Sequence, residues 1–267
     1  MRSPLNKRLF RELRGEFGKY LVIFILMTLT IGMVSGFLVA DGSMIQAYEE
    51  SFEKYSIENG HFRTEKKMNN AQIQDIEDLG IKLYENYYVE EALTNGSTMR
   101  IFKNRDEVNK VCLMKGKMPE KPGEIGIDRM YADNNDLSVG DEIESGGHTW
   151  KITGLVALSD YSALFSNNND SMFDSVKFGV SVVCPEEFDS YKADQLNYSY
   201  AWKYNTEPKN EKAEKDISED LMEDVAKEVT LEEFVPRYTN QAIIFTGDDM
   251  GGDRSMMIVL LYIIIVI

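Results

Sequence analysis

The chain has 267 residues, a formal charge of −16 and ordinary glycine and proline counts. A chain this acidic repels nucleic acid and anionic lipid surfaces. Because the first twenty residues hold six basic and two acidic side chains, the remainder is more acidic still. Two cysteines exclude a disulfide framework, and His61 and His148 each lack a second histidine or cysteine at ligand spacing, so no zinc site is spelled out.

Residues Asn6 to Tyr20 place Leu9, Phe10, Leu13 and Phe17 at helical spacing among basic side chains. That pattern suits a helix on the inner leaflet, or equally a docking surface for a partner. Leu21 to Ala40, LVIFILMTLTIGMVSGFLVA, has only Thr28, Thr30 and Ser35 as polar side chains. About 20 residues at ~1.5 Å each cover the ~30 Å core of a bilayer, so this is a spanning helix. A signal peptide shares the basic start, but its apolar core usually runs only ~7–15 residues. Basic residues before the span and Asp41, Glu49, Glu50 and Glu53 after it put residues 1–20 in the cytoplasm and everything past Asp41 outside.

Met44, Ile45, Tyr48, Phe52 and Tyr55 continue a period near 3.6, so the helix extends outward as a stalk. Asn69 or Asn70 caps a helix carrying Ile73, Ile76 and Leu79, which Gly80 ends, and a strand starts at Ile81. From Ser97 to Leu158 short strands alternate around Met99 and Ile101, Ile125 and Ile127, and Trp150, Ile152 and Val156, punctuated by glycines at 116, 123, 140, 146 and 147. Phe178, Val180, Val182 and Cys184 form another strand, and Pro185 opens a helix.

Leu196, Tyr198, Tyr200, Trp202 and Tyr204 make an aromatic stripe, read either as a ligand-stacking face or as core under a helix. Ile217, Leu221, Val225 and Val229 mark a helix from about Glu211 that covers that sheet. Gln241–Thr246 reads as a last strand, and Asp248, Asp249 and Asp253 around Gly251-Gly252 as an acidic hinge without calcium-loop spacing. Met256–Ile267 is uniformly apolar and reads as the start of a second membrane helix.

The expected fold is α+β. An α/β layer from roughly Asp41–Ala92 and Ser175–Thr246 carries a β-rich insertion at about 93–174, the whole of 41–255 lying outside between two membrane segments. Cys112 and Cys184 are either two buried thiols or one bridge. No phosphate-binding loop, nucleophile elbow or His-Glu-x-x-His is present, so no catalytic, cofactor or metal residue is assigned, and ATP chemistry would belong to another chain. An anchored sensor that uses the Tyr198–Tyr204 face is the alternative reading.

The run Met114–Asp128 has the form G-x-x-P-x-x-x-x-E-I-x-I through Gly116, Pro119, Glu124, Ile125 and Ile127. Leu137–Asp141 reads L-x-V-G-D, and Trp150–Val156 supplies the strand that follows. This order resembles the extracytoplasmic domain of bacterial ABC-transporter permeases, the FtsX-like family with a MacB-type core. Phe10-Arg-Glu-Leu before a long apolar helix is similar to the large Gram-positive members. The resemblance implies a porter-like α/β subdomain with a β-rich one, a multi-pass permease in the cell membrane, a separate ATPase subunit, the bilayer and a second permease copy as partners, and either export or mechanotransmission. Read on their own chemistry, Gly116, Gly140 and Gly154 permit tight turns and Asp141 satisfies turn amides, a structural role.

Overall fold

The computed structural model describes residues 11–12 and 14–266. Part of the amphipathic segment expected over residues 6–20, including Leu9, Phe10 and Leu13, lies outside them. The chain divides into two compact units, one formed by 1–49 with 247–267 and the other by 50–246.

In the first unit, α1 (Phe17–Lys54) is the one helix among the described residues long and apolar enough to cross a membrane. Val22, Phe24, Leu26 and Leu29 are each more than 60% exposed, so α1 is not the buried core helix of this chain. The ring of Tyr48 packs against Gly247, where a Cβ would sit 2.6 Å from it.

The second unit holds two sheets. The first has four antiparallel strands in the order β11 (Leu231–Pro236), β1 (Gly60–Thr64), β10 (Tyr198–Tyr204), β2 (Ile81–Glu85). Helices α2 (Asn70–Glu77) and α5 (Glu211–Glu228) cover it, burying Ile76, Leu221 and Val225. Asn69 caps α2 in a full capping box with Gln72. Tyr200, Trp202 and Tyr204 of the aromatic stripe are core, while Leu196 and Tyr198 are half-buried. Trp202 stacks on Phe234 at 4.8 Å and Tyr200 on Phe62 at 5.7 Å, with Tyr200 and Trp202 at most 1% exposed. Gly60 leaves room for Trp202, since a Cβ there would lie 2.3 Å from the indole.

The second sheet runs β3 (Tyr88–Ala92), β4 (Thr98–Lys103), β9 (Phe178–Val183), β6 (Glu124–Asp128), β8 (His148–Leu158), β5 (Val111–Gly116), with β7 (Glu142–Ser145) beside β8. The pairs β4–β9 and β6–β8 are parallel and the rest antiparallel. Short helices α3 (Arg129–Asn134) and α4 (Pro185–Phe188) follow β6 and β9.

Four expectations differ from what is found. β3 and β9 belong to the second sheet, which therefore reaches from Tyr88 to Val183, wider than 93–174; β9 is buried along its whole length because it pairs on both sides inside that sheet. Gln241–Thr246 is not a strand but the first turns of α6 (Gln241–Val266), because Asn240 caps it by accepting from the Ala242 amide at 3.1 Å. The acidic stretch Asp248–Asp253 is helical within α6 instead of a hinge. On α5, Ser218 is buried where Ile217 was expected, and Ile217 is 44% exposed. The two cysteines are free thiols, Cys184 buried and Cys112 half-buried.

Candidate functional site

A buried polar network of the second unit lies where α1 ends. Ser56 N donates to Glu53 O at 3.1 Å and Ile57 N to Phe52 O at 2.9 Å. This pairing closes a helix through a left-handed residue, normally glycine; here Ser56 takes it at φ 51°. The next residues are bonded to the first sheet and to the segment between β4 and β5 of the second.

On the four-stranded side, Asn59 N donates to Trp202 O at 2.8 Å, Tyr204 N donates to Asn59 Oδ1 at 3.1 Å, and Lys203 Nζ donates to Ile57 O at 2.9 Å. On the other side stands the segment between β4 and β5. Asn109 N donates to Ser56 O at 3.1 Å and Lys110 N to Tyr55 O at 2.9 Å. Glu58 N donates to Asn109 Oδ1 at 2.9 Å, and Asn109 Nδ2 returns a bond to Glu58 Oε2 at 2.6 Å, with Asn109 also left-handed at φ 48°.

Glu58 is fully buried, and its Oε1 lies 2.6 Å from His61 Nδ1. Burial alone would push Glu58 up, but His61, the Asn109 amide and Arg105 together hold it below the usual carboxylate range. Burial pulls His61 down, and Glu58, Glu233 and Asp160 outweigh it, so its imidazole is held above its ordinary value.

The start of α6 is anchored in the same way to the segment after β8. Ser162 Oγ lies 2.9 Å from both Ala242 O and Ile243 O, Ala163 N donates to Ala242 O at 3.1 Å, and Gln241 N donates to Asn168 Oδ1 at 2.8 Å. One ion pair joins the two anchoring segments. Arg105 Nη1 and Nη2 donate to Asp160 Oδ2 and Oδ1 at 2.8 and 2.7 Å, and Nη1 also reaches Asn86 Oδ1 at 2.8 Å. Both side chains are 6% exposed. Burial pushes the Asp160 carboxyl up, against the pull of the guanidinium. A bidentate pair at this depth fixes orientation as well as distance.

The motif residues gather elsewhere, around β8. Gly116, at φ 80°, brings the chain so close that a Cβ would stand 2.3 Å from Thr153 O, and one on Gly154 would stand 2.5 Å from Lys117 O. Pro119 lies beside Gly126. Glu124 Oε2 accepts from Glu120 N at 3.0 Å, and this bond holds its carboxyl below the usual range. Gly140, at φ 105°, donates its N–H to Ile152 O at 2.8 Å, and Asp141 Oδ2 accepts from Ser138 N at 2.8 Å. Gly116, Gly140 and Asp141 form turns, as expected, but Gly154 is not a turn: it lies inside β8, where the close approach of Lys117 O requires a residue without a side chain.

Sequence reasoning passed over Glu58, Arg105, Asn109, Asp160 and Ser162. The signal for them is faint: ionisable or amide residues at the junction of a periodic stretch with a strand, as in Glu58-Asn59-Gly60 and Ser159-Asp160. On the Tyr198–Tyr204 face, Tyr200, Trp202 and Tyr204 are packed as core, while Tyr198 is half-buried and lines a cleft with Leu196 and Tyr87. Among the described residues no group of His, Cys, Asp and Glu side chains is placed to hold a metal ion.

No family model and no curated protein sequence matches the chain. Among solved structures it is similar to the periplasmic region of MacB from Actinobacillus actinomycetemcomitans, with a TM-score of 0.35 and 11% identity over 64% of this chain and 85% of that one. It is also similar to the extracellular domain of the noncanonic ABC-type transporter YknZ from Gram-positive bacteria, with a TM-score of 0.34 and 11% identity over 65% of this chain and 98% of that one.

Proposed function

We propose that the chain is the N-terminal part of a non-catalytic permease subunit of an ABC transporter, in which a separate ATPase subunit drives motion of the outer domain. On this reading Leu21–Ala40 spans the cell membrane, residues 1–20 face the cytoplasm, 41–255 lie outside, and 256–267 begin the second membrane helix. The bilayer and a second permease copy complete the partners. Gly116, Pro119, Glu124, Gly140, Asp141 and Gly154 have structural roles, as turn residues, a carboxylate cap and a close strand contact, and not catalytic ones.

The observation that carries the proposal is the Arg105–Asp160 pair, which ties the segment holding the end of α1 to the segment holding the start of α6. Displacement entering through one helix would reach the other through fixed hydrogen bonds, because packed, fully bonded elements move as bodies. The ordered signature from Gly116 to Val156 and the exposed apolar surface of α1 support the same reading.

The test is co-purification of the full-length protein with the ATPase encoded beside it, with ATP hydrolysis assayed with and without Arg11→Glu and Arg14→Glu together. The proposal expects a stable complex whose hydrolysis depends on the permease. Loss on charge reversal would put the contact on the N-terminal segment, whereas no association in any nucleotide state would overturn the transporter reading.

A further inference from the structure

A cleft of about 210 Å³ opens beside the anchoring network, lined from both sheets and from the 160–168 segment, with His61, Arg63, Asn86, Tyr88 and Glu233 among its walls. Its chemistry is uneven. Arg100 is fully engaged: Nε and Nη2 donate to Glu90 Oε1, Nη1 to the Tyr161 hydroxyl at 2.7 Å, and Nη2 to Ser166 O at 2.8 Å. Arg63 is not. Its Nη1 donates to Glu232 Oε2 at 2.6 Å, but its Nε is buried without a hydrogen bond, the nearest carboxylate oxygen, Glu233 Oε2, standing 3.7 Å away.

His61 uses only Nδ1, toward Glu58, and the Tyr88 hydroxyl has no hydrogen-bond partner among the described residues. The cleft therefore offers a guanidinium N–H, an imidazole edge and a phenol with no internal acceptor. A buried N–H without an acceptor is costly, and an anionic oxygen is the acceptor that relieves a guanidinium best. The Glu58 carboxylate beside it raises the imidazole above its ordinary value, which favours the ring form that donates from both nitrogens.

Glu90, Asp160 and Glu233 also line the cleft, so a dianion such as phosphate would meet three carboxylates. A singly charged, planar group fits better, and any ammonium on the same molecule would find Glu233. The volume is below the roughly 300–1,000 Å³ of drug-sized sites, which sets the ligand at about a dipeptide. We propose that this cleft binds a small ligand of dipeptide size through a free carboxylate, held by Arg63 Nε, His61 and Tyr88. This binding does not depend on the transporter reading.

Isothermal titration of the full chain in lipid nanodiscs tests it, with L-alanyl-L-alanine as probe and the C-terminal amide of the same dipeptide as control. The expected result is saturable binding of the free acid, at least tenfold weaker binding of the amide, at least a tenfold loss in Arg63→Gln and a smaller loss in Tyr88→Phe. Absence of dialanine binding up to about 10 mM, a concentration beyond the millimolar range of weak sites, would overturn the proposal. So would equal binding of acid and amide, or unchanged affinity in both variants. The acid–amide comparison on the unsubstituted chain decides the matter even if a variant fails to fold.

Discussion

Asp160 accepts two hydrogen bonds from a guanidinium that has almost no access to water, and this makes it the most sensitive single position in the network. Removing one partner of a buried pair leaves the other charge without solvent or counter-ion, at a cost of about 3–5 kcal/mol. Asp160→Ala is expected to destabilise the second unit by that amount, read as a lowered denaturant midpoint. Trp150 and Trp202, the two tryptophans of the chain and both fully buried, report the transition by fluorescence.

The Glu58–His61 pair makes a different prediction, because both partners titrate. His61, held above the ordinary 6.5, contributes stability that is complete below that pH and is lost as pH rises through its raised value. Glu58, held below the ordinary 4.5, contributes stability that is present above that pH and is lost on further acidification. The pair is thus worth most between about pH 4.5 and 6.5. The destabilisation caused by His61→Gln should be largest at pH 5.5 and smaller at pH 9, by chemical denaturation at each. A difference that stays constant with pH would show that the ring contributes only packing.

At the scale of the element, turns are selected by what a side chain would strike. Gly116 has a positive φ and also abuts Thr153 O, whereas Gly140 has a positive φ with nothing within 4 Å of a Cβ. Gly140→Ala should cost only the left-handed backbone penalty, about 1–2 kcal/mol. Gly116→Ala should cost more, since backbone must also move; thermal unfolding of the two variants side by side checks the order.

The same elements show what was legible in the sequence. Strands β4, β6 and β8 followed from alternation, and α2 from Asn69 and Gly80, because local periodicity and caps suffice to fix them. The first turns of α6 did not follow, since a six-residue apolar run fits strand or helix equally and only the Asn240 cap decides. The network was illegible for a related reason. Arg105 and Asp160 are 55 residues apart and meet only because β5 pairs with β8, a long-range pairing that no local pattern announces.

At the scale of the whole molecule, one buried ion pair joins the segment that holds the end of α1 to the segment that holds the start of α6. The central claim is that the end of α1 and the start of α6 respond together when ATP acts on a partner subunit. The most direct measurement is hydrogen exchange on the full-length protein in complex with the ATPase encoded beside it, as proposed, with and without ATP, following the amides of Ile57, Asn109, Lys110 and Ala163. The account predicts that all four change protection together in the unsubstituted protein, and that Asp160→Asn separates Ala163 from the other three. Identical exchange at all four positions with and without ATP would contradict it.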